Sequence, residues 1–71
     1  QPEDALDYYE KAIAHSDNEF TAPRFLHKAG VIALELGEKS KALGYFERIK
    51  EEYPNSQEAN SIDALIGLAQ N

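Results

Sequence analysis

An all-α fold of antiparallel helix-turn-helix repeats, with about four helices, is what this sequence predicts. Three observations carry that expectation. Apolar residues recur at helical spacing along the whole chain, and no alternating strand pattern appears. The breaks between the periodic segments are only a few residues long, which makes neighbouring helices antiparallel. One segment also recurs. "ALDYYEK", Ala5 to Lys11, aligns with "ALGYFER", Ala42 to Arg48, at an offset of 37 residues. Four of the seven positions are identical, two are conservative, and only Asp7 against Gly44 differs in kind. The first helix is therefore a copy of the third, and the chain is built from helix pairs.

Each helix has its own signals. The first spans Pro2 to Ala14: Pro2 suits a first turn, Glu3 and Asp4 suit the positive helix start, and the apolar stripe is Ala5, Leu6, Tyr9, Ala12 and Ile13. "HSDNEF" breaks the pattern with turn-forming residues, and His15 suits the helix C-terminus. Thr21 is the expected N-cap of the second helix, with Pro23 in its first turn. That helix carries Leu26, Ala29, Gly30, Ala33 and Leu36, and Gly37 ends it in the left-handed conformation. The third starts near Lys39 or Ser40, presents Ala42, Leu43, Phe46, Ile49 and Tyr53, and is stopped by Pro54. Ser56 is the expected cap of the fourth, whose stripe is Ala59, Ile62, Leu65, Ile66 and Ala69.

Composition narrows the functional classes. The 71 residues make one small domain, which at this size buries about 60% of its unfolded surface. The chain opens on Gln1-Pro2 without an initiator methionine and reads as a fragment of a longer protein. Without cysteine it has neither disulfides nor thiolate metal sites. A net charge of −6 argues against nucleic acid or an anionic membrane as the main partner. No apolar run approaches the roughly 20 residues that insert into and span a bilayer.

Candidate reaction chemistry fails position by position. Asp17-x-Glu19-x-Thr21 has the odd spacing of a calcium loop, but Ala22 and Lys28 stand where glycine and glutamate are needed. His15 and His27 lack the spacing and partners of a metal site or a triad. No serine sits in a nucleophile elbow, and the four glycines form no phosphate loop. Glu3, Asp7 and Glu10 read as a solvated acidic face, and Glu47 to Glu52 as ordinary surface pairing. Tyr9 and Phe46 read as repeat packing, and Tyr8 and Tyr45, turned partly outward, as serving the core or the join between repeats in preference to a partner contact. The expectation is a non-enzyme with no catalytic, cofactor-binding or metal-binding residues.

These residues resemble the tetratricopeptide repeat (TPR) family, a 34-residue helix-turn-helix that stacks into an α-α superhelix. Pro23 to Ser56 is 34 residues long, and within it Gly30, Ala42, Phe46 and Pro54 fall at the family's Gly, Ala, aromatic and Pro positions. Leu26, Ala29 and Ala33 stand where Trp, Leu and Tyr are usual, and Ile49 extends the third-helix stripe. The resemblance implies one domain over residues 1–71, made of the second helix of a preceding repeat (1–15), one complete repeat (23–56) and a closing helix (57–71). About three repeats are normally needed for stability. The first helix is therefore expected to meet either an upstream partner or a second copy of the chain.

The resemblance also implies function. It implies a non-catalytic scaffold whose groove receives a peptide or a partner protein, lined here by Arg24, His27, Val31, Leu34 and Glu35. His27 and Val31 replace the Lys and Asn of the family's carboxylate clamp, which implies a more apolar contact. The alternatives are a self-association module forming a homo-oligomer, or an accessory domain of a larger enzyme. More narrowly, "SDNEFTAP", "GVIALELGEKSKALGYFERIKEEYPNS" and "EANSIDALIGLAQ" look like the C-terminal part of bacterial envelope TPR proteins similar to the ancillary translocon subunit and cell-division coordinator. That resemblance implies a periplasmic, translocon-associated scaffold held by an N-terminal membrane helix outside this sequence.

Overall fold

Four α-helices follow one another in the computed structural model, which describes residues 1–16 and 18–71: α1 (Pro2–Ala14), α2 (Ala22–Glu35), α3 (Lys39–Glu52) and α4 (Ile62–Gln70), the last preceded by a 3-10 helix (Gln57–Ser61). Asp17, the first position of the calcium-loop reading, lies outside the described residues. No strand occurs among the described residues, and the fold is the all-α helical repeat expected. α2 packs between α1 and α3, and α4 packs on α3. The Cα atoms fill 28 × 27 × 14 Å. The short dimension is that of two helix layers, about 9 Å between axes plus a Cα radius of about 2.3 Å on each side.

The punctuation residues act locally. Gly37 has φ 79°, and the Glu38 and Gly37 amides donate to the Ala33 and Leu34 carbonyls at 2.8 and 3.0 Å. This is a Schellman motif, and it satisfies carbonyls that the end of α2 would otherwise leave open. At the other end of the pair, Pro54 holds Tyr53 at φ −131°, ψ 53°, outside the helical region, and α3 stops.

Two capping expectations are corrected. Thr21 occupies the N-cap position of α2 but makes no side-chain cap bond, because its Oγ1 pairs with Ser16 Oγ at 2.7 Å. Asn18 instead organises the turn before the helix, its Oδ1 accepting from the Phe20 amide at 2.6 Å, while its backbone carbonyl accepts from the Ala22 amide at 2.9 Å. Ser56 does cap, accepting from the Ala59 amide at 3.3 Å, but the segment it opens is 3-10 and α4 proper begins only at Ile62. A 3-10 turn at a helix start is common, and polar Gln57, Glu58 and Asn60 offer little packing to pull it into α geometry.

The core is one continuous seam. Leu26, Ala29 and Ala33 of α2 and Ala42, Phe46 and Ile49 of α3 are all 0% exposed, with Leu6 and Ile13 closing it from α1 and Ile62 and Ala69 from α4. The small residues of α2 bring the two backbones together, and Gly30 is the extreme case. A Cβ built on Gly30 would stand 2.4 Å from Cε1 of Phe46. The ring of α3 thus occupies the space a side chain of α2 would need, which explains a glycine in a helix interior.

Candidate interaction surface

The helix α2 positions all five candidate groove residues, because they fall on the stripe its core residues leave free. Arg24 and Glu35 are exposed, and His27, Val31 and Leu34 are half-buried. The structure brings only two of them together in a cavity. His27 and Val31 line a hollow of about 210 Å³ with Tyr9 of α1, Lys28 and Ile32. The His27 ring centroid lies 6.5 Å from that of Phe46, so this histidine rests on the core seam. Tyr9 stands 6.2 Å from Phe25 by ring centroids, which makes the α1 wall of the hollow aromatic.

Arg24 lies elsewhere. It lines a larger cleft of about 410 Å³ between the turn before α2 and the turn after α3, beside Phe20, Glu52, Tyr53 and Glu58. Phe20 is 80% exposed on its rim. Leu34 and Glu35 line neither cavity. Sequence reasoning assigned Tyr9 to packing and passed over Lys28 and Ile32. Their place in the hollow follows from where α1 crosses α2, which the periodicity of one helix does not encode.

Glu10 also departs from expectation. Rather than standing on a solvated acidic face, it accepts a hydrogen bond from the Tyr45 hydroxyl and pairs with Lys41 Nζ at 3.2 Å. α1 and α3 lie in the same layer, and this cluster ties them. The hydrogen bond from Lys41 to Glu10, with the attraction of that carboxylate, raises the Lys41 pKa above 10.5. Tyr45 is half-buried, in agreement with a role between repeats, whereas Tyr8 is 65% exposed. Burial first, then the hydrogen bond to Glu10, hold the Tyr45 hydroxyl above its ordinary 10.0.

The Tyr45 shift has a pH consequence. The unfolded chain gives up this proton near pH 10 while the folded chain keeps it, so the stability it contributes is full below about pH 10 and falls as pH rises beyond. Urea midpoints at about pH 8 and about pH 10.5 should therefore fall less in Tyr45→Phe than in the parent. Equal falls would show that Tyr45 does not supply the dependence.

The fold is that of a helical-repeat module. Among the described residues no group of three His, Cys, Asp or Glu is placed to hold a metal ion, and no helix is long and apolar enough to cross a membrane. Residues 25–56 match the family model described as a tetratricopeptide repeat. The match covers most of α2, all of α3 and the turn after it, and supports the tetratricopeptide repeat family for this chain. No curated protein and no solved structure shows a significant match. Repeats of this family generally mediate protein–protein interactions and are typically non-catalytic.

Proposed function

We propose that this chain is a non-catalytic protein-binding module in which the face of α2 bearing Arg24, His27, Val31, Leu34 and Glu35 receives an extended peptide or a partner helix. The observation that carries this reading is the hollow where half-buried His27 and Val31 meet Tyr9. It offers an apolar pocket for one anchoring side chain, and Lys28 beside it supplies a polar rim. Arg24 and Glu35, near opposite ends of α2, add charges of opposite sign and would favour one direction of a bound peptide.

Peptides selected against the chain from a displayed library provide the test. Val31→Ala should weaken the selected peptides about tenfold while the far-UV helix signal of the parent is retained. Unchanged affinities would remove the α2 face as the binding site. The narrower role beside an envelope translocon is carried by the resemblance of the quoted segments. It predicts cross-linking of the membrane-anchored protein to translocon subunits, and labelling confined to other membrane proteins would count against it.

A further inference from the structure

The larger cavity, of about 410 Å³, is built from turns and helix ends rather than from helix faces. Glu19 and Phe20 of the turn before α2 line it with Arg24 of that helix's first turn. Opposite in the chain, Glu52 and Tyr53 come from the end of α3 and Glu58 from the 3-10 helix. Helix pairs stack through helix faces, so a unit added on either side brings its own turns beside this cleft and not over it. The volume falls within the roughly 300–1,000 Å³ of ligand pockets.

Two properties of the lining specify an occupant. The first is charge. Three carboxylates, Glu19, Glu52 and Glu58, stand against the Arg24 guanidinium. Glu52 pairs with Arg48 at 3.3 Å, and the balance stays negative with that pair set aside. The second is an aromatic surface held in place. Phe20 is 80% exposed, yet its turn is braced on both sides. Its amide donates to Asn18 Oδ1 at 2.6 Å, and the neighbouring Thr21 hydroxyl pairs with Ser16 at 2.7 Å. Half-buried Tyr53 lines the same space. Side chains ordered before binding lose little freedom when a ligand covers them.

We propose that this cleft receives an arginine side chain of a partner protein or peptide, its guanidinium lying against the Phe20 ring and donating to Glu19 and Glu58. A guanidinium stacks on an aromatic face and donates in its own plane at the same time, whereas a lysine ammonium is more strongly hydrated and gives up more water. A carboxylate would meet like charge. A wholly apolar side chain would strip water from the carboxylates and return no hydrogen bond. The net charge of −6 draws cationic segments toward the chain in the same sense. The cleft is separate from the hollow beside Tyr9, so either can fail as a binding site without the other.

Titration of the isotope-labelled chain with N-acetyl-arginine amide, followed by amide chemical shifts to about 20 mM, tests this. Shifts should centre on Glu19, Phe20 and Asn55 to Glu58, and saturate with a dissociation constant on the order of 1 mM. The lysine counterpart should bind about threefold more weakly. The citrulline counterpart, which keeps the shape without the charge, and the glutamate counterpart should each be at least about tenfold weaker. Phe20→Ala should weaken the arginine probe about fivefold and melt like the parent, since the ring is exposed. Glu19→Gln with Glu58→Gln should weaken it about tenfold. Glu3→Gln with Asp4→Asn removes the same charge from the first turn of α1 and should change it by less than about twofold. Absence of shifts at the two turns, an unaffected Phe20→Ala, or equal losses from the two charge-removing pairs would each overturn the proposal. So would a lysine, citrulline or glutamate probe that binds as tightly as the arginine one.

Discussion

Phe46→Ala should lower the melting temperature by about 15–30 °C and leave a measurable unfolded fraction at room temperature. Truncating a buried Phe costs about 3–5 kcal/mol, the larger end applying where surroundings cannot collapse into the cavity. The surroundings of Phe46 are poorly suited to collapse. The ring is 0% exposed and abuts Gly30, which has no side chain to move, among Ala29, Ala33 and Ala42, whose single methyls cannot re-aim. A chain of this length has roughly 4–10 kcal/mol in total, so the loss is a large share. At about 4–8 °C per kcal/mol for a domain of this size, the shift follows. Thermal and urea melts followed by far-UV circular dichroism measure it. A variant melting within a few degrees of the parent would show that the ring does not hold the α2–α3 seam together.

What the sequence made legible is what backbone geometry and the core constrain. Gly30 against Phe46 could be read because a glycine inside a helix needs a close neighbour, and the aromatic stands at the repeat's spacing. Gly37 and Pro54 act through φ restrictions that hold in any context, and both end helices where their chemistry places them. The misreadings fall where two chemistries of equal local merit compete. Thr21 is a good cap by type, and whether its hydroxyl turns to the helix or to the loop depended on Ser16 being within 2.7 Å of Thr21 Oγ1. Glu10 has the same difficulty over a longer range, since Tyr45 and Lys41 reach it from another helix. The candidate surface was legible as a stripe on α2 and no further. Arg24 departs to the neighbouring cleft because the turn after α3 folds back beside the start of α2, while α1 contributes Tyr9 to the hollow by crossing at mid-helix. Folding requires only that these outward positions tolerate water, so their identities carry little record of how they are grouped.

Gly30→Ala should destabilise the chain even though it improves helix propensity, and its sign separates packing from propensity as the reason for the glycine. Alanine in a helix interior is favoured over glycine by about 1 kcal/mol. Against that gain stands the Phe46 ring, with Cε1, Cζ and Cδ1 at 2.4, 2.8 and 2.9 Å from the new methyl position. Real Cβ atoms essentially never approach so closely, so the ring or a helix must shift. Neither has an easy path: the ring is 0% exposed, and α2 is held on its other side by α1. Overpacking of this kind costs about 1–3 kcal/mol, and with the ring this close the upper part of that range applies, so the net effect is a loss of up to about 2 kcal/mol read from urea midpoints. The decisive measurement is the double-mutant cycle with Phe46→Leu. Leucine lacks the ring atoms that collide, so in that background Gly30→Ala should be neutral or stabilising through propensity alone, giving a coupling of about 1–3 kcal/mol. If Gly30→Ala instead raises stability in the parent, the two helices lie further apart than the seam described here, and Gly30 is not retained for close approach. Gly67 of α4, where an added Cβ would meet nothing within 4 Å, provides the internal control: Gly67→Ala should stabilise the chain by up to about 1 kcal/mol, because the same substitution there meets no ring.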